Sequence, residues 1–407
     1  MRILIYGINY APELTGIGKY TGEMGSWLAQ NGHSVDVITA IPYYPMWKAQ
    51  EGYSNTWWHS EIIDGANVLR CPLYIPEKVS SFKRILHEFT FVAAMIPVWL
   101  KTIFTKKHDV VVCVSPPFHL GLLPLLYAKI KGAKMITHIQ DLQVDAAREL
   151  GMINNKVFLK IMFGLEKFIL KRSNAISTIS PGMQAKIESK GIAPSKITMF
   201  PNWVDEHTIR PLGRNESLRA AFGISDTAKV IMYSGNVGEK QGLEIILEVA
   251  KKFLNQPDIH FIITGNGGGK EKLMVTAQEA NLTNVQFFPL QPYDQLSALL
   301  ATADVHLVLQ KKSAADLVMP SKLVSILAAG GLAVVTALPG STLYHVIDTY
   351  KAGILIEPEN AAALTEGIEK ALNNNMDLYK SNARLYAEQF LSKEPIMKQW
   401  EGTLENL

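Results

Sequence analysis

"RILIYGINYAPELTGIGKYTGEM" (residues 2–24) joins a short apolar run to a helical segment through a loop that carries two glycines, Gly16 and Gly18. Beyond the loop Ile17, Tyr20, Met24 and Leu28 recur at helical spacing, Gly32 follows as a stop, and "SVDVITA" (residues 34–40) reads as a second strand. The stretch is therefore a βαβ unit, and a parallel sheet follows from it.

A glycine-rich turn at a helix N-terminus brings unpaired backbone N–H groups close to an anion or a sugar hydroxyl. Two known phosphate cradles fail here. A P-loop needs glycine where Glu13 stands and Ser or Thr where Tyr20 stands, while a dinucleotide fingerprint starting at Gly16 meets Thr21 in place of its last small residue. A ligand-binding loop and a permissive turn without a ligand remain equal readings.

Working outward, short β-branched runs alternate with amphipathic segments through most of the 407 residues. The first half offers strands at "ILIYGI", "SVDVITA", "VVVCVS", "MITHI", "AISTIS" and "ITMF"; the pattern lapses near "NWVDEHTIRPLGRN" and resumes with "KVIMYSG", "HFIITG", "VQFF", "DVHLVLQ", "LAVVTA" and "GILIE". The expected organisation is two doubly wound α/β domains, residues 1–203 and 204–375, joined by a linker near Pro201–Leu212. A strand-free helical tail, 376–407, follows, with a possible return to the first domain. Ligands of open α/β sheets sit at the carboxyl ends of the strands, so two such domains facing each other predict a cleft lined by strand-to-helix loops.

Composition narrows the class. Hydrophobic residues make up 48% and charged residues 19%, which fits a filled interior and excludes a disordered chain. A net charge of +3 gives no reason to expect a nucleic-acid partner. Cys71 and Cys113 have no metal-ligand spacing and read as core thiols of a reducing compartment. The first residues lack a signal-peptide pattern, because Asn9, Pro12 and Glu13 interrupt the apolar run, so a cytoplasmic protein is expected. The most apolar stretch, Phe89–Phe104, is shorter than a spanning helix and is interrupted by Pro97 and Lys101. Its flanks carry Lys78, Lys83, Arg84, Lys101, Lys106 and Lys107, as a segment lying on an anionic membrane would, and a buried helix with solvated ends is the alternative.

Four loops carry candidate chemistry besides the first. In "THIQDLQVDAARELG", His138, Asp141 and Asp145 crowd a strand end, where they can exchange protons with a ligand; a helix N-cap is the plainer reading of Asp141. In "YSGNVGEKQGLE", Gly235 and Gly238 allow close backbone approach and Lys240 adds positive charge. In "MPSKLVSILAAGG", Pro320 suits a first helical turn, leaving the N–H groups of Ser321 and Lys322 and the Lys322 cation for a diphosphate. Finally, "IPYYPMWKAQEGYSNTWW" supplies Tyr43, Tyr44 and Trp47 as an acceptor surface or a self-packed lid.

Taken in order, "PELTGIG", "NGHSVDVIT", "FPNWVD", "YSGNVGEKQGLE", "TADVHLVLQ" and "PSKLVSILAAGG" resemble the retaining nucleotide-sugar glycosyltransferases of family 4, which have the GT-B fold of two facing Rossmann-like domains. Within that family the chain is similar to the branch that builds colanic acid, a slime exopolysaccharide, fucosyl transfer included. The resemblance implies a nucleotide-diphosphate sugar as donor, no obligatory metal or other cofactor, a lipid-linked oligosaccharide acceptor, and work at the inner face of the cytoplasmic membrane. It places Asn236, Lys240, Lys322 and the Ser321 backbone at the donor diphosphate, Leu290 or Gln291 near the base, and Gly235, Gly265, Pro320 and Ser325 around them. Gly16 and Gly18 face the diphosphate across the cleft, and Asp141 lies close to the transferred sugar. Two departures stand out: Asn236 and Gln241 occupy places usually held by Arg and Lys, and Leu317 and Ser325 replace a customary pair of glutamates. An epimerase on the same fold and a non-catalytic sugar-binding or scaffold protein remain the alternatives.

Overall fold

The computed structural model describes all residues except 79, 106, 150, 152, 154 and 315–319, so the expectations attached to Lys106 and Leu317 lie outside the described residues. The chain divides into two compact units: Met1–Pro201 together with Pro395–Leu407, and Asn202–Glu394.

In the first unit the strands are β1 (Arg2–Tyr6), β2 (Ser34–Ala40), β3 (His59–Ile63), β4 (Ala66–Cys71), β5 (Val110–Ser115), β6 (Lys134–Ile139), β7 (Ala175–Thr178) and β8 (Ile197–Met199). They form one sheet in the order β3-β4-β2-β1-β5-β6-β7-β8, parallel except that β3 runs against β4. The helices are α1 (Gly16–Gln30), α2 (Ser81–Thr105), α3 (Leu122–Lys131), α4 (Gln143–Glu149), α5 (Lys156–Arg172) and α6 (Pro181–Ser189). From β1 the sheet extends through β2, β4 and β3 on one side and, from β5, through β6, β7 and β8 on the other. The switch in direction lies between β1 and β5, the place where open α/β sheets take their ligands.

The β3–β4 hairpin is absent from the strands expected above. Its signal was present: Asp64 and Gly65 both have positive φ and close a two-residue turn between alternating runs, the Asp-Gly pattern of a type I′ hairpin. α2 likewise exceeds expectation, running unbroken for 25 residues with Pro97 inside. Pro97 and the preceding turn at Ala93 are exposed, so water can satisfy the carbonyl that the ring leaves without a donor.

The second unit repeats the layout with six strands: β9 (Lys229–Ser234), β10 (Ile259–Thr264), β11 (Val285–Phe288), β12 (Val305–Val308), β13 (Ala333–Thr336) and β14 (Ile354–Ile356). All pair in parallel, in the order β11-β10-β9-β12-β13-β14, and the switch in direction falls between β9 and β12. Its helices are α7 (Glu244–Lys252), α8 (Lys270–Glu279), α9 (Leu296–Thr302), α10 (Ser321–Ala328), α11 (Thr342–Tyr350), α12 (Ala361–Asn373) and α13 (Asp377–Phe390). Near-continuous burial along β9, β10, β12 and β13 is what covering helices on both faces of a parallel sheet demand.

The boundary expected at 375 is corrected. Residues 376–394 belong to the second unit, because Ala383 and Ala387 of α13 are fully buried in one core with Leu323, Leu327 and Ala328 of α10. Arg384 adds hydrogen bonds to the carbonyls of Ala328 (2.6 Å) and Ile209 (3.1 Å). The stretch read as a linker is also structured: Val204 and Ile209 are buried in that core, and the Val204 N–H donates to the Leu391 carbonyl at 2.8 Å. The last helix, α14 (Lys393–Glu405), carries the final residues into the first unit. There Trp400 stacks on Phe200 with ring centroids 4.1 Å apart, a pairing worth about 1 kcal/mol beyond the area it buries. His33 fastens the same helix through Glu401 at 2.7 Å. Both cysteines are buried free thiols with pKa values pushed up to about 12 by burial, which makes them inert core residues.

Candidate active site

Each unit presents a glycine-lined loop at the carboxyl end of its first strand. In the second unit this loop follows β9 and is shaped by its neighbour after β10. Gly235 and Gly265 have φ of 131° and 135°, and the Gly235 N–H donates to the Thr264 carbonyl at 2.9 Å. A Cβ on Gly265 would lie 1.9 Å from the Gly235 carbonyl oxygen, so only glycine allows the two loops to meet. Val237 then donates to the Asn266 carbonyl (2.9 Å) and Gly269 to the Val237 carbonyl (3.0 Å), locking the pair together.

Lys322 enters this floor from the first turn of α10. Its ammonium nitrogen stands 3.4 Å from the centre of the Tyr233 ring, and its end lies 3.2 Å from where a Cβ of Gly235 would be. Part of the side chain is exposed, yet the nitrogen itself is buried and has no hydrogen-bond partner among the described residues. Burial pulls its pKa well below the ordinary lysine value. The aromatic face offsets only part of that desolvation, so an anion reaching the nitrogen would favour its charged form. The Ser321 backbone opens the same helix turn, preceded by the buried Pro320 cap.

The other expected donor residues are placed around this floor. Asn236 is exposed, with its amide between the backbone of Gly238 and Gly267. Lys240 is half-buried, and its carbonyl accepts from the Lys311 N–H at 2.9 Å. Leu290 and Gln291 follow β11 beside the Gly265 loop: Gly265 donates to the Phe288 carbonyl (3.3 Å), and Thr264 Oγ1 to the Pro289 carbonyl (2.9 Å). Ser325 lies one helical turn beyond Ser321, half-buried.

In the first unit the loop after β1 is arranged differently. Gly16 takes a φ of 61° at the start of α1, but the space beside Gly18 is filled from within the loop: a Cβ there would lie 2.4 Å from Glu13 Oε2. Gly22 and Gly25 continue the same helix face, with a Cβ at either overlapping Ala11 or the Tyr10 hydroxyl. The spacing 18, 22, 25 thus lets α1 lie directly under residues Tyr10–Glu13. Arg70, fully buried on β4, donates to the Ala40 carbonyl at 3.0 Å and to the Ala11 carbonyl, which pins the loop from the other side.

Glu13 is the residue that sequence reasoning missed. Its carboxylate accepts from the Tyr43 and Tyr44 N–H groups, both at 2.9 Å, and from Asn9 Nδ2 at 2.9 Å, joining the loop after β1 to the loop after β2. Burial pushes its pKa up to about 7 against these hydrogen bonds. A glutamate five residues before Gly18 carries no sequence signal of this role.

Three expectations change at this end of the first sheet. His138 is a core histidine: it is 2% exposed, Nδ1 meets Ser177 Oγ at 2.9 Å, Nε2 meets the Gln140 amide at 2.8 Å, and the Phe200 ring lies 5.0 Å away. Burial pushes its pKa down to about 3, so it stays neutral and is no proton-transfer group. Asp145 is committed to Lys190 (2.5 Å), which also pairs with Glu166, in a buried ion cluster. Tyr43 is buried and, with Trp47, packs around the His87 ring of α2 at 4.5 and 5.1 Å, which makes the first part of the aromatic loop a wall of the core. Tyr44 keeps some exposure and its ring edge lies 3.5 Å from the Cβ position of Gly16. Asp141 remains half-exposed at the end of β6, two residues before Gln143, whose amide donates to the buried Glu88 of α2 at 2.7 Å.

Among the described residues one group has ligand spacing for a metal, His33 with Glu401 and Glu405. Its ring is already used at both nitrogens, by the N-terminal ammonium (3.1 Å) and by Glu401, so fastening α14 accounts for it.

Two parallel-sheet α/β units with glycine-lined loops at their strand ends are the organisation of GT-B glycosyltransferases, and the comparisons agree. The first unit matches the glycosyl transferase 4-like domain over residues 15–203, and the second matches glycosyl transferases group 1 over residues 214–389. Over 98% of both chains the sequence is 44% identical to WcaI of Escherichia coli (strain K12), named for colanic acid biosynthesis glycosyl transfer. The protein belongs to the family 4 glycosyltransferases and is a transferase enzyme. Among solved structures the fold is shared with sucrose-phosphate synthase from Thermosynechococcus elongatus (TM-score 0.78, 16% identity, covering 100% and 98% of the two chains). It is shared also with Anabaena HepE in complex with UDP-glucose (TM-score 0.73, 14% identity, both chains covered in full).

Proposed function

We propose that the chain transfers a hexose, fucose from GDP-fucose, to a lipid-linked oligosaccharide during colanic acid synthesis, retaining the anomeric configuration, at the inner face of the cytoplasmic membrane. The observation that carries the donor half of this reading is Lys322, a buried ammonium without a hydrogen-bond partner among the described residues, beside a loop that glycine keeps open. A diphosphate supplies the anionic partner that this nitrogen lacks among the described residues. The 44% identity with WcaI supports the pathway, and the nucleotide sugar in the HepE complex supports the donor class.

In this mechanism the C–O bond between the sugar and the donor diphosphate breaks first, and Lys322 with the first turn of α10 stabilises the developing phosphate charge. The acceptor hydroxyl attacks from the face the leaving group vacates, and its proton passes to the departing phosphate oxygen. No metal is required, because fixed protein charge does the work. Asp141 is the polar residue proposed near the transferred sugar in this reading.

The base is tested by thermal shift of the purified protein with GDP, UDP and ADP and their sugars. A shift specific to GDP and GDP-fucose is expected; a UDP-specific shift replaces the fucosyl reading with the UDP-sugar chemistry that the HepE complex favours. Incubation with donor alone separates the transferase from an epimerase, since isomerised sugar in the absence of acceptor sinks transfer. Donor binding without turnover on any lipid-linked acceptor points to a scaffold.

A further inference from the structure

The outer surface of α2, α3 and α5 carries twelve exposed large apolar side chains. On α2, Phe82, Phe89 and Ile96 recur every seven residues, and Leu86, Leu100 and Phe104 lie one turn on; all six are exposed, Phe82 by 74% and Phe104 by 84%. Leu122, Leu126 and Ile130 extend the stripe along α3, and Val157, Ile161 and Phe168 along α5. The three helices are neighbours, since their opposite sides share one core: Phe91, Met95 and Trp99 of α2, Tyr127 of α3 and Ile169 of α5.

Charge on this face has one sign. The chain holds 37 Asp and Glu, but these three helices hold two, Glu88 and Glu166, and both are buried. Their exposed ionisable side chains are all cations: Lys101 on α2, Lys129 on α3, and Lys156, Lys160, Lys167, Lys171 and Arg172 on α5. A second copy of the chain is disfavoured as the cover, because two such faces would bring like charges together. An anionic bilayer takes both components at once, with aromatic and aliphatic side chains below the headgroups and lysines among them.

α2 is long and apolar enough to cross a membrane by length and composition, with only 28% of its most apolar window buried. It does not leave the fold to do so: Trp99 Nε1 donates to the Leu123 carbonyl at 2.8 Å, and Trp58 Nε1 donates to the Ala94 carbonyl at 2.7 Å. We infer that the outer face of α2, α3 and α5 is a membrane-docking surface that lies on an anionic lipid bilayer without spanning it. The inference deepens, and for its biological purpose rests on, the reading of a lipid-borne acceptor, but vesicle binding needs neither donor nor acceptor, so the two can fail separately.

The test is co-sedimentation of the full chain with vesicles of phosphatidylcholine alone or of phosphatidylcholine with phosphatidylglycerol, whose negative surface potential attracts a polybasic face. Binding is expected to the anionic vesicles only, and to weaken as salt rises. Ile96→Glu with Phe104→Glu should reduce the bound fraction at least about tenfold. Lys160→Gln with Lys167→Gln, which leaves the apolar stripe and core untouched, should reduce it less and flatten the salt dependence. Thermal unfolding and nucleotide-induced shifts should match wild type in both variants. Equal binding to both vesicle types, binding unaffected by either double variant, or a stable dimer that Ile96→Glu dissociates would each overturn the assignment.

Discussion

The loops after β1 and β9 occupy the same place in their sheets, at the carboxyl end of the first strand beside the switch in direction, and both are rich in glycine. Their interiors are opposite. After β9 the space that glycine creates is bordered by Lys322, a cation without a hydrogen-bond partner among the described residues; after β1 it is occupied by Glu13, a carboxylate already accepting three hydrogen bonds. The β9 loop offers a cation to an anion, and the β1 loop has supplied its own anion. Glycine in a loop therefore reports close approach, and only the approaching group says whether a ligand is involved.

The largest effect that can break this contrast is at Lys322. Lys322→Ala is expected to lower kcat/KM by about 10²–10³-fold, the scale of removing one preorganised charge-stabilising donor. Because the substitution removes a buried charge, the unfolding temperature should hold or rise. Turnover near the wild-type rate would end the assignment of the donor site.

Glu13 is probed by pH. Its folded pKa of about 7 lies above the ordinary 4.5, so the folded chain holds the proton more tightly than the unfolded one. The stability it contributes is complete below about pH 4.5 and is lost as pH rises through 7, by roughly 3 kcal/mol. Glu13→Gln keeps an oxygen for the Tyr43 and Tyr44 N–H groups and should flatten that slope in urea unfolding between pH 4.5 and 8. An unchanged slope would show that another group is responsible.

A smaller effect distinguishes glycines within the β9–β10 pair. Gly265→Ala should cost about 2 kcal/mol and remove the nucleotide-induced thermal shift, from positive φ and overlap with the Gly235 carbonyl. Gly268→Ala, with nothing within 4 Å of the added carbon, should stay within about 0.5 kcal/mol of wild type. Comparable losses at both positions would dissolve the argument from close approach. Smallest of all, Lys240→Ala should raise the donor KM by only about fivefold, since a half-buried, screened cation contributes about 1 kcal/mol. An effect as large as that of Lys322→Ala would move the anion site toward the β9 loop.

Periodicity made most strands legible, because parallel strands covered on both faces must be short apolar runs. The β3–β4 hairpin escaped although Asp64-Gly65 marked it, since "HSEII" alternates weakly beside an aromatic loop. At the donor site Lys322, Gly235 and Gly265 were legible as residue types at strand and helix ends. The place of His138 was not: a histidine at a strand end looks the same in sequence whether it meets solvent or a tryptophan from the far end of the chain.

Most of the strands, the two α/β repeats and the family were settled by the amino-acid sequence, since local periodicity and loop motifs are written along the chain. What surrounds each glycine, which lysine is desolvated, and whether a carboxylate is satisfied depend on groups distant in sequence, and so only the folded structure decides them. Glu13 reaches the backbone thirty residues ahead, and Lys322 reaches a ring almost ninety residues behind. That is why the loop quoted first, which the sequence leaves equally open to a ligand-binding loop and a permissive turn, shows only in three dimensions that its own glutamate fills the space beside Gly18.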